Sequence, residues 1–525
     1  MKLRLLLIVT FFLIACLHLS SVNSELNGLG GDNARYIFVA KSLALGEGFR
    51  DFFPGSPPHV HYPPVFSLML APVIWLLGVN FAACHAVVVA SELTALAFLF
   101  FFFKRIAGWT LAFLVCLIFS LNPFINLFLA EILSEFPYLM ITAAALLLAE
   151  KFTRPDNRKM QYLWIPLLVS SAYLMKSAGL MLILAFCCYR LYRKEFRVLL
   201  WNLPLLFLPR LLWALRTWSL DIEGGTGYLK VFGLKNRTDP GQGDMGFVDL
   251  LERVRLNIKL ISQTLVEFVI PSQVPASWPI ILFLGGFVLI GFWARFKEKK
   301  AGFMEFYVVL YLGMLALWPV YEHRKFFPIV PFLYFYLLYA TDWLIRTRQN
   351  YWRSAIVWTL GLFILSGQIQ PTLEVSQIRS RPLFFPPPSD PAYNGFTVDW
   401  SHHFTTYDWL TSGTYAINAE LWGNYLYLSH AIGKTSPPGS AIIARKPGLT
   451  ALYSDRPAID FPFFNDFELQ RKHILKNKIG YVLLDGMFHE TFVYLWPFIQ
   501  ANPAAFEVID QKGNAMVLKV LREKL

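Results

Sequence analysis

The chain has little cysteine and little charge for its length. Charged residues make up 16% of its 525 residues, against about 25% in soluble proteins. The spacing of the cysteines matches neither a disulfide framework nor a zinc site, and the C-terminal region has no glycine-rich nucleotide-binding loop. These absences argue against a disulfide-stapled domain and a zinc protein. The five cysteines all lie in apolar stretches: Cys16, Cys84, Cys116, Cys187 and Cys188.

Apolar residues are in excess. Hydrophobic residues make up 56% of the chain and aromatic residues 17%, and the mean hydropathy is +0.46. Repeated apolar stretches long enough to cross a bilayer predict a polytopic α-helical membrane protein. The formal net charge of +12 does not indicate nucleic acid as a partner. Much of it lies in short basic clusters between apolar stretches, which is the pattern of cytoplasmic loops.

The basic clusters set the predicted topology. With these clusters in the cytosol, the N-terminus lies inside and the C-terminus outside. The first apolar run is interpreted as an uncleaved span, with a cleaved signal peptide as the alternative. Eleven spans are predicted, near 4–21, 81–103, 109–127, 131–150, 161–176, 177–190, 198–215, 277–295, 303–320, 326–344 and 353–369.

The first outer loop, 22–80, is predicted to hold two helices that lie along the membrane. One begins at Asp32, carries an apolar stripe at helical spacing and ends at Gly46. The other covers the apolar stretch 61–80. If that stretch crossed, every later basic cluster would lie outside, so we expect it to lie in the interface or to re-enter.

Two further regions complete the predicted organisation. A second long outer loop runs over 216–275, within a membrane module that covers 1–370. Residues 371–525 then predict a small α/β domain outside the cytosol, after a proline-rich linker at 381–395.

Several cations break the charge rule, because they fall at predicted outer boundaries. Such charges suit a lipid phosphate or pyrophosphate, and we favour that interpretation for the group. The alternative is that each side chain extends to the lipid headgroups. These residues are Lys176, Arg210, Arg216, Arg324 and Lys325.

Acids also lie at the predicted outer face. Asp32 begins the first loop helix, where it could simply cap the helix. Glu131 and Glu135, at i and i+4, would share one helix face, which calls for a metal, a cation or a shared site unless both offset the helix dipole. Inside a span, Glu92 and His85 are expected to form a buried hydrogen bond.

The two histidines of the first loop are weak metal candidates. His59 and His61 are close enough in sequence to bind one ion, but the pair alone is a weak signal. A divalent metal is therefore left open as a cofactor, and no other cofactor is expected.

The order of these motifs resembles the membrane glycosyltransferases of the type C fold. The likeness is to bacterial aminoarabinose transferases of lipid A and to protein O-mannosyltransferases and their prokaryotic relatives, and it covers about 1–345. At one position the chain departs from the aminoarabinose enzymes, which have lysine before the Pro-Pro pair where this chain has Tyr62. The matching segments are "GDNARYIFVAKSLALGEGF", "YPPVFSLMLAPVIWLLG", "LSEFPYLMITAAALLLA", "AYLMKSAGLMLIL", "LPRLLWALRTW" and "EHRKFFPIVPFLYFYLL".

The resemblance implies an inverting glycosyl transfer at the outer face of a membrane, with a bacterial inner membrane expected. The implied donor is a sugar on a polyprenyl phosphate, and the acceptor is a hydroxyl of a lipid, a glycan or a protein. Asp32 would act as base, and Glu135 would orient an arginine or a lysine, bind donor hydroxyls or help to hold a divalent ion. The residues expected to bind substrate are Arg35, His61, Tyr62, Glu131, Lys176, Arg216 and Arg324.

Two other functions remain open on the residues alone. A transporter or flippase of a polyprenyl-linked or anionic substrate would also place charges in the membrane, although it should show internal repeats, and we find no convincing one. A membrane-anchored binding domain would leave the charges at the outer face unexplained.

Overall fold

Most of the chain is helical in the computed structural model. The residues that it describes are 2–22, 26, 31–129, 131–152, 159–220, 232–235, 243–270, 277–319, 323–346, 350–379 and 414–525. The predicted proline-rich linker lies outside these residues.

Fifteen helices form the N-terminal part of the described chain. The first eight are α1 Lys2–Leu19, α2 Asp32–Ala44, α3 Val65–Leu77, α4 Phe81–Ala107, α5 Trp109–Ser120, α6 Pro123–Leu129, α7 Glu135–Lys151 and α8 Ile165–Met175. The next seven are α9 Leu180–Tyr192, α10 Phe196–Ser219, α11 Phe247–Val269, α12 Trp278–Lys297, α13 Phe303–Leu317, α14 Val330–Leu344 and α15 Asn350–Arg379.

The helices fit the predicted spans in place, while the number of spans stays a prediction. Within the described residues, five helices are long and apolar enough to cross a membrane, and a sixth span results if α5 and α6, which meet at 60°, are taken together. Several other predicted spans coincide with shorter helices, such as α8 and α9. By length and composition, the five long helices are candidates for membrane spans.

The first outer loop has the two predicted helices. Helix α2 begins at Asp32, and the chain leaves it through Leu45 and Gly46, whose φ of +77° favours glycine. Helix α3 has 13 residues, about 20 Å of helix against a hydrocarbon core of about 30 Å. Helices α8 and α9 are equally short, so length alone does not decide the matter, and the interfacial or re-entrant placement of 61–80 stays a prediction.

The C-terminal part is a small α/β domain, as predicted. Its helices are α16 Thr414–Thr435, α17 Pro447–Ser454, α18 Phe467–Lys476 and α19 Trp496–Ala501, and its strands are β1 Ala441–Ala444, β2 Ala458–Ile459, β3 Ile479–Leu484, β4 Phe506–Lys512 and β5 Ala515–Val520. The sheet order is β2-β1-β3-β5-β4. Strands β2, β1 and β3 run parallel, and β5 is antiparallel to both β3 and β4. The sequence did not predict α17 or β2.

The C-terminal domain packs directly on the first outer loop. Ala458 of β2 donates a backbone hydrogen bond to the Phe52 carbonyl at 3.1 Å, and Lys41 of α2 pairs with Asp455 at 2.9 Å. Buried residues of α16 and one face of the sheet belong to the same apolar core as the membrane helices. The domain is therefore held against α2, the helix that begins at Asp32.

Candidate functional site

Asp32 is the centre of a charged cluster at the start of α2. Its Oδ1 accepts a hydrogen bond from the Tyr62 hydroxyl at 2.7 Å, and its Oδ2 accepts one from Arg324 Nη2 at 2.5 Å. Gly31 occupies the capping position of α2, and no side chain caps the helix there. The carboxylate is thus committed to tertiary contacts, and the interpretation of Asp32 as a simple cap is not supported.

A second carboxylate joins the cluster through the same arginine. Glu135 Oε1 lies 2.8 Å from Lys176 Nζ and 3.9 Å from Arg324 Nε. The Glu135 side chain is 3% exposed, so its charge needs these cations. Arg324 therefore faces both acids.

The charged side chains lie where helices begin or break. Glu135 is the first residue of α7. Lys176 has an extended backbone between α8 and α9, and Arg324 lies in a short 3₁₀ turn, His323–Ile329, that precedes α14. Each of these positions lies next to an apolar segment, and the three charged side chains lie close to one another.

The cluster keeps Asp32 ionised. Burial raises the pKa of this carboxyl, but the charges of Arg324 and Lys176 and the hydrogen bonds from Tyr62 and Arg324 outweigh burial and hold the pKa well below its usual value. Burial and the Asp32 charge raise the pKa of Tyr62. The pair is therefore a phenol that donates to a carboxylate.

A second layer of buried groups holds Tyr62. His59 Nδ1 lies 2.8 Å from Asp51 Oδ2, and the Tyr62 backbone N–H donates to His59 Nε2 at 2.8 Å. Because Nε2 accepts, the proton of a neutral ring lies on Nδ1 and is donated to Asp51. Burial lowers the pKa of His59, which favours that neutral form. Arg35 supports the layer, with Nε 3.6 Å from Asp51.

The structure brings together five of the predicted site residues, which are Asp32, Tyr62, Glu135, Lys176 and Arg324. Others border the cluster. The Arg35 guanidinium lies 5.8 Å from the centre of the Tyr62 ring, and Arg216 donates to the His59 carbonyl at 2.8 Å. The His61 ring centre is 6.2 Å from that of Tyr62.

Other predicted cations contact aromatic rings away from this cluster. The Arg210 guanidinium lies over Tyr173 at 5.5 Å, and Lys325 lies over Trp318 at 4.8 Å. These contacts do not distinguish a phosphate ligand from a side chain that extends to the lipid headgroups.

Two expectations about acids were wrong. Because α7 begins at Glu135, Glu131 precedes the helix and the two acids do not share a helix face. The partner of Glu92 is His18 of α1, at 2.7 Å, and His18 also contacts the Ser120 carbonyl at 3.1 Å. A histidine near the end of a predicted span was the signal for this pair.

The donor set does not fit a resident metal. No group of three or more His, Cys, Asp or Glu side chains that could hold a metal lies within the described residues. Both ring nitrogens of His59 are engaged, so His59 and His61 do not form a metal pair. Asp32 and Glu135 already form ion pairs with Arg324 and Lys176, which compete with a metal ion for the same carboxylates.

Sequence reasoning missed one part of the site. Asp51 was not singled out, although an acid eight residues before a histidine in a glycine- and proline-rich loop is a weak signal.

Comparison with known proteins identifies similar folds. No protein-family model and no curated protein matches the chain. ArnT from Cupriavidus metallidurans, in a crystal structure bound to undecaprenyl phosphate, is 10% identical, with a TM-score of 0.57 over 98% of this chain and 97% of that chain. The archaeal oligosaccharyltransferase AglB from Archaeoglobus fulgidus, in complex with an inhibitory peptide and a dolichol-phosphate, is 12% identical, with a TM-score of 0.51 over 91% of this chain and 69% of that chain.

Proposed function

We propose that this chain, an integral membrane protein with the type C glycosyltransferase fold, transfers a glycosyl group from a polyprenyl-phosphate-linked sugar to an acceptor hydroxyl. The observation that carries the proposal is the ion pair between Asp32 and Arg324. It puts a carboxylate that can take a proton beside a cation that can hold a phosphate. The bound undecaprenyl phosphate and dolichol-phosphate of the two similar structures support this donor class.

The reaction is a displacement at the anomeric carbon. The acceptor oxygen attacks that carbon from the face opposite the phosphate, so the configuration inverts. As the new C–O bond forms, the bond between the anomeric carbon and the phosphate oxygen breaks, and its electron pair leaves with the phosphate. The hydroxyl proton passes to Asp32, and such general-base assistance contributes roughly 10²–10⁴-fold.

The cluster supplies charges of both signs for this step. Arg324 and Lys176 stabilise the charge that develops on the departing phosphate. When Arg324 turns toward the phosphate, its hold on Asp32 weakens, and the carboxylate becomes more basic. Glu135 keeps Lys176 and Arg324 in place, and Tyr62 fixes one oxygen of Asp32 so that the other faces the acceptor.

The remaining predicted residues, the substrates and the location complete the proposal. Arg35, His61 and Arg216 border the cluster, and with Glu131 they are the proposed substrate contacts. The acceptor is a lipid, a glycan or a protein hydroxyl, and the sugar is a hexose or a pentose. The site lies at the extracytoplasmic face, expected to be that of a bacterial inner membrane, with the N-terminus in the cytosol.

Sugar release from purified polyprenyl-phosphate sugars in detergent tests the proposal. We expect turnover by the wild type and a loss of at least about 100-fold in Asp32→Asn. Asparagine keeps the size of the side chain and an oxygen for Tyr62, so the protein should fold. Asp510→Asn, an exposed position in β4, is the matched control and should keep full turnover.

The other outcomes are equally informative. Equal turnover in Asp32→Asn would overturn the assignment of the base and direct the search to Glu135. Binding of the donors without turnover by the wild type would favour a transporter or flippase.

A further inference from the structure

A second charged cluster lies where β1 of the C-terminal domain ends. Arg445 Nη1 is 3.2 Å from Asp460 and Arg445 Nη2 is 3.1 Å from Glu490. Both acids are thus engaged by Arg445. Its neighbour Lys446 forms no ion pair with any of the described residues, and its ammonium lies 4.8 Å from the centre of the Phe488 ring.

Lys446 adjoins the Asp32 cluster across the domain contact. It immediately precedes α17, and α17 packs on α2. A Cβ atom at Gly448 would lie 3.3 Å from the Gly31 carbonyl oxygen, next to Asp32 in the chain. Asp32 is accordingly one of the charges that act on Lys446.

The charge of Lys446 is poorly compensated. Burial lowers the pKa of its ammonium to about 8, and Arg445 adds to the effect. Asp32, Asp460 and Glu490 act in the opposite direction, but Arg324 or Arg445 already engages each of them. Lys446 therefore shares Asp460 and Glu490 with Arg445 and forms no ion pair of its own with any of the described residues.

We propose that Lys446 is a ligand of the donor phosphate, so that the C-terminal domain completes the phosphate subsite formed by Lys176 and Arg324. This inference rests on the proposed function. With Arg445 and Lys446 the cations number four, and the acids Asp32, Glu135, Asp460 and Glu490 also number four. Burial raises the pKa of Asp460 to about 7, so at neutral pH part of that negative charge is absent and the cations are left with positive charge for a phosphate. When the bond between sugar and phosphate breaks, the phosphodiester monoanion becomes a monoester that carries up to two negative charges, and Lys446 acts on that gain.

Binding of undecaprenyl phosphate to the full chain in detergent, measured by calorimetry from pH 6.5 to 9.5, tests this role without requiring turnover. Lys446→Gln should bind about tenfold more weakly at pH 7.5, as expected for the loss of one charge-assisted hydrogen bond. Lys472→Gln, an exposed lysine of α18, is the control and should bind as the wild type does. Undecaprenol and inorganic phosphate in separate titrations distinguish a lipid phosphate from lipid or phosphate alone.

The pH dependence separates a bound cation from a merely structural lysine. Wild-type affinity should fall as the pH rises above about 8, where Lys446 loses its proton, a range above the one in which Asp460, whose pKa burial raises to about 7, titrates. The phosphate itself has finished titrating by then, since its second pKa is about 6. Lys446→Arg should keep the affinity and remove this fall, because arginine stays charged.

Each result bears on one of the two proposals. If the wild type binds undecaprenyl phosphate and Lys446→Gln binds it equally well, the role of Lys446 is overturned while the proposed function stands. Tight binding of inorganic phosphate alone, lost in Lys446→Gln, would overturn the assignment to the lipid donor. If the wild type binds undecaprenyl phosphate no more tightly than undecaprenol and also releases no sugar from the purified donors, both the role of Lys446 and the proposed function fail.

Discussion

Asp32 and Arg324 are 292 residues apart in sequence, yet they form an ion pair with 2.5 Å between Oδ2 and Nη2. One residue begins a helix of the first outer loop, and the other lies in the turn that precedes α14. The pair therefore connects the start of α2 with the turn that precedes α14. It also sets the protonation state of the proposed base.

Arg324→Gln should change the pH dependence of turnover. In the wild type, Arg324 lowers the pKa of Asp32, so the base stays ionised at any pH used for an assay. Without the cation the pKa of Asp32 rises, and the activity of the variant should be lost at a higher pH as the solution is acidified. The pH profile of kcat/KM measures this shift.

The same pair makes a prediction about stability. A carboxyl whose pKa is lowered in the folded state contributes stability that is present above its unfolded pKa and is lost as the pH falls through the folded one. Thermal unfolding of the wild type should therefore lose this contribution below about pH 4, and Arg324→Gln should show a smaller loss. If kcat/KM and the melting temperature fall at the same acidic pH in Arg324→Gln as in the wild type, the assigned role of Arg324 is wrong.

Tyr62→Phe should lower turnover less than Asp32→Asn does. The substitution removes the 2.7 Å hydrogen bond to Asp32 but leaves the carboxylate and Arg324 in place. A hydrogen bond to a charged group contributes about 1.5–3 kcal/mol, so we expect a fall of roughly 10- to 100-fold in kcat. Tyr481→Phe, in β3 of the C-terminal domain, is the control. Wild-type kcat in Tyr62→Phe would show that Asp32 needs no orientation by this phenol.

Asp51→Ala should destabilise the protein more than it alters donor binding. The carboxylate accepts from His59, and its neighbour Arg35 is 3.6 Å away. Its removal leaves a buried N–H and a cation without their acceptor, at a cost of about 1–3 kcal/mol. Thermal unfolding in detergent measures this cost. Asp51→Asn, which keeps an acceptor for His59, should recover part of the loss, and equal melting temperatures for Asp51→Ala and the wild type would exclude a supporting role for this layer.

Local sequence signals predicted elements better than they predicted the site. The limits of α2 followed from an acid at its start and Gly46 at its end, and the α/β character of the C-terminal domain followed from the sequence of 371–525. The start of α7 was missed by four residues, because an apolar segment continues smoothly from the preceding loop, and Glu131 was misplaced as a result. Helix α17 is short, and its proline and glycine are typical of a loop, so tertiary packing on α2 decides its structure.

The pairings in the site depend on tertiary geometry. Their positions at predicted outer boundaries marked Lys176 and Arg324 as unusual cations and drew attention to the acids Asp32 and Glu135. Which cation meets which acid depends on the positions of helix breaks, and no periodicity in the sequence encodes those positions. His18 and Lys446 show the same limit, because each contacts a segment far away in the chain.

Gly179→Ala should displace Lys176 and with it the cation that pairs with Glu135. A Cβ atom at Gly179 would lie 2.3 Å from the carbonyl carbon and oxygen of Ala172. These are backbone atoms, so no side-chain rotation can relieve the contact, and the break between α8 and α9 must shift. The Gly179 N–H donates to the Lys176 carbonyl at 2.8 Å, which ties Lys176 to that shift. We expect a fall in turnover of at least about tenfold, together with a lower melting temperature.

Gly313→Ala is the matched control for that substitution. Gly313 lies within α13, and a Cβ atom there meets nothing within 4 Å. Alanine favours the helix by up to about 1 kcal/mol over glycine, so this variant should keep its turnover and melt at the same or a higher temperature. Turnover and melting temperature measured on both variants in the same detergent separate the effect of the helix break from the general effect of replacing glycine. Wild-type turnover in Gly179→Ala would mean that the position of Lys176 does not depend on this close approach.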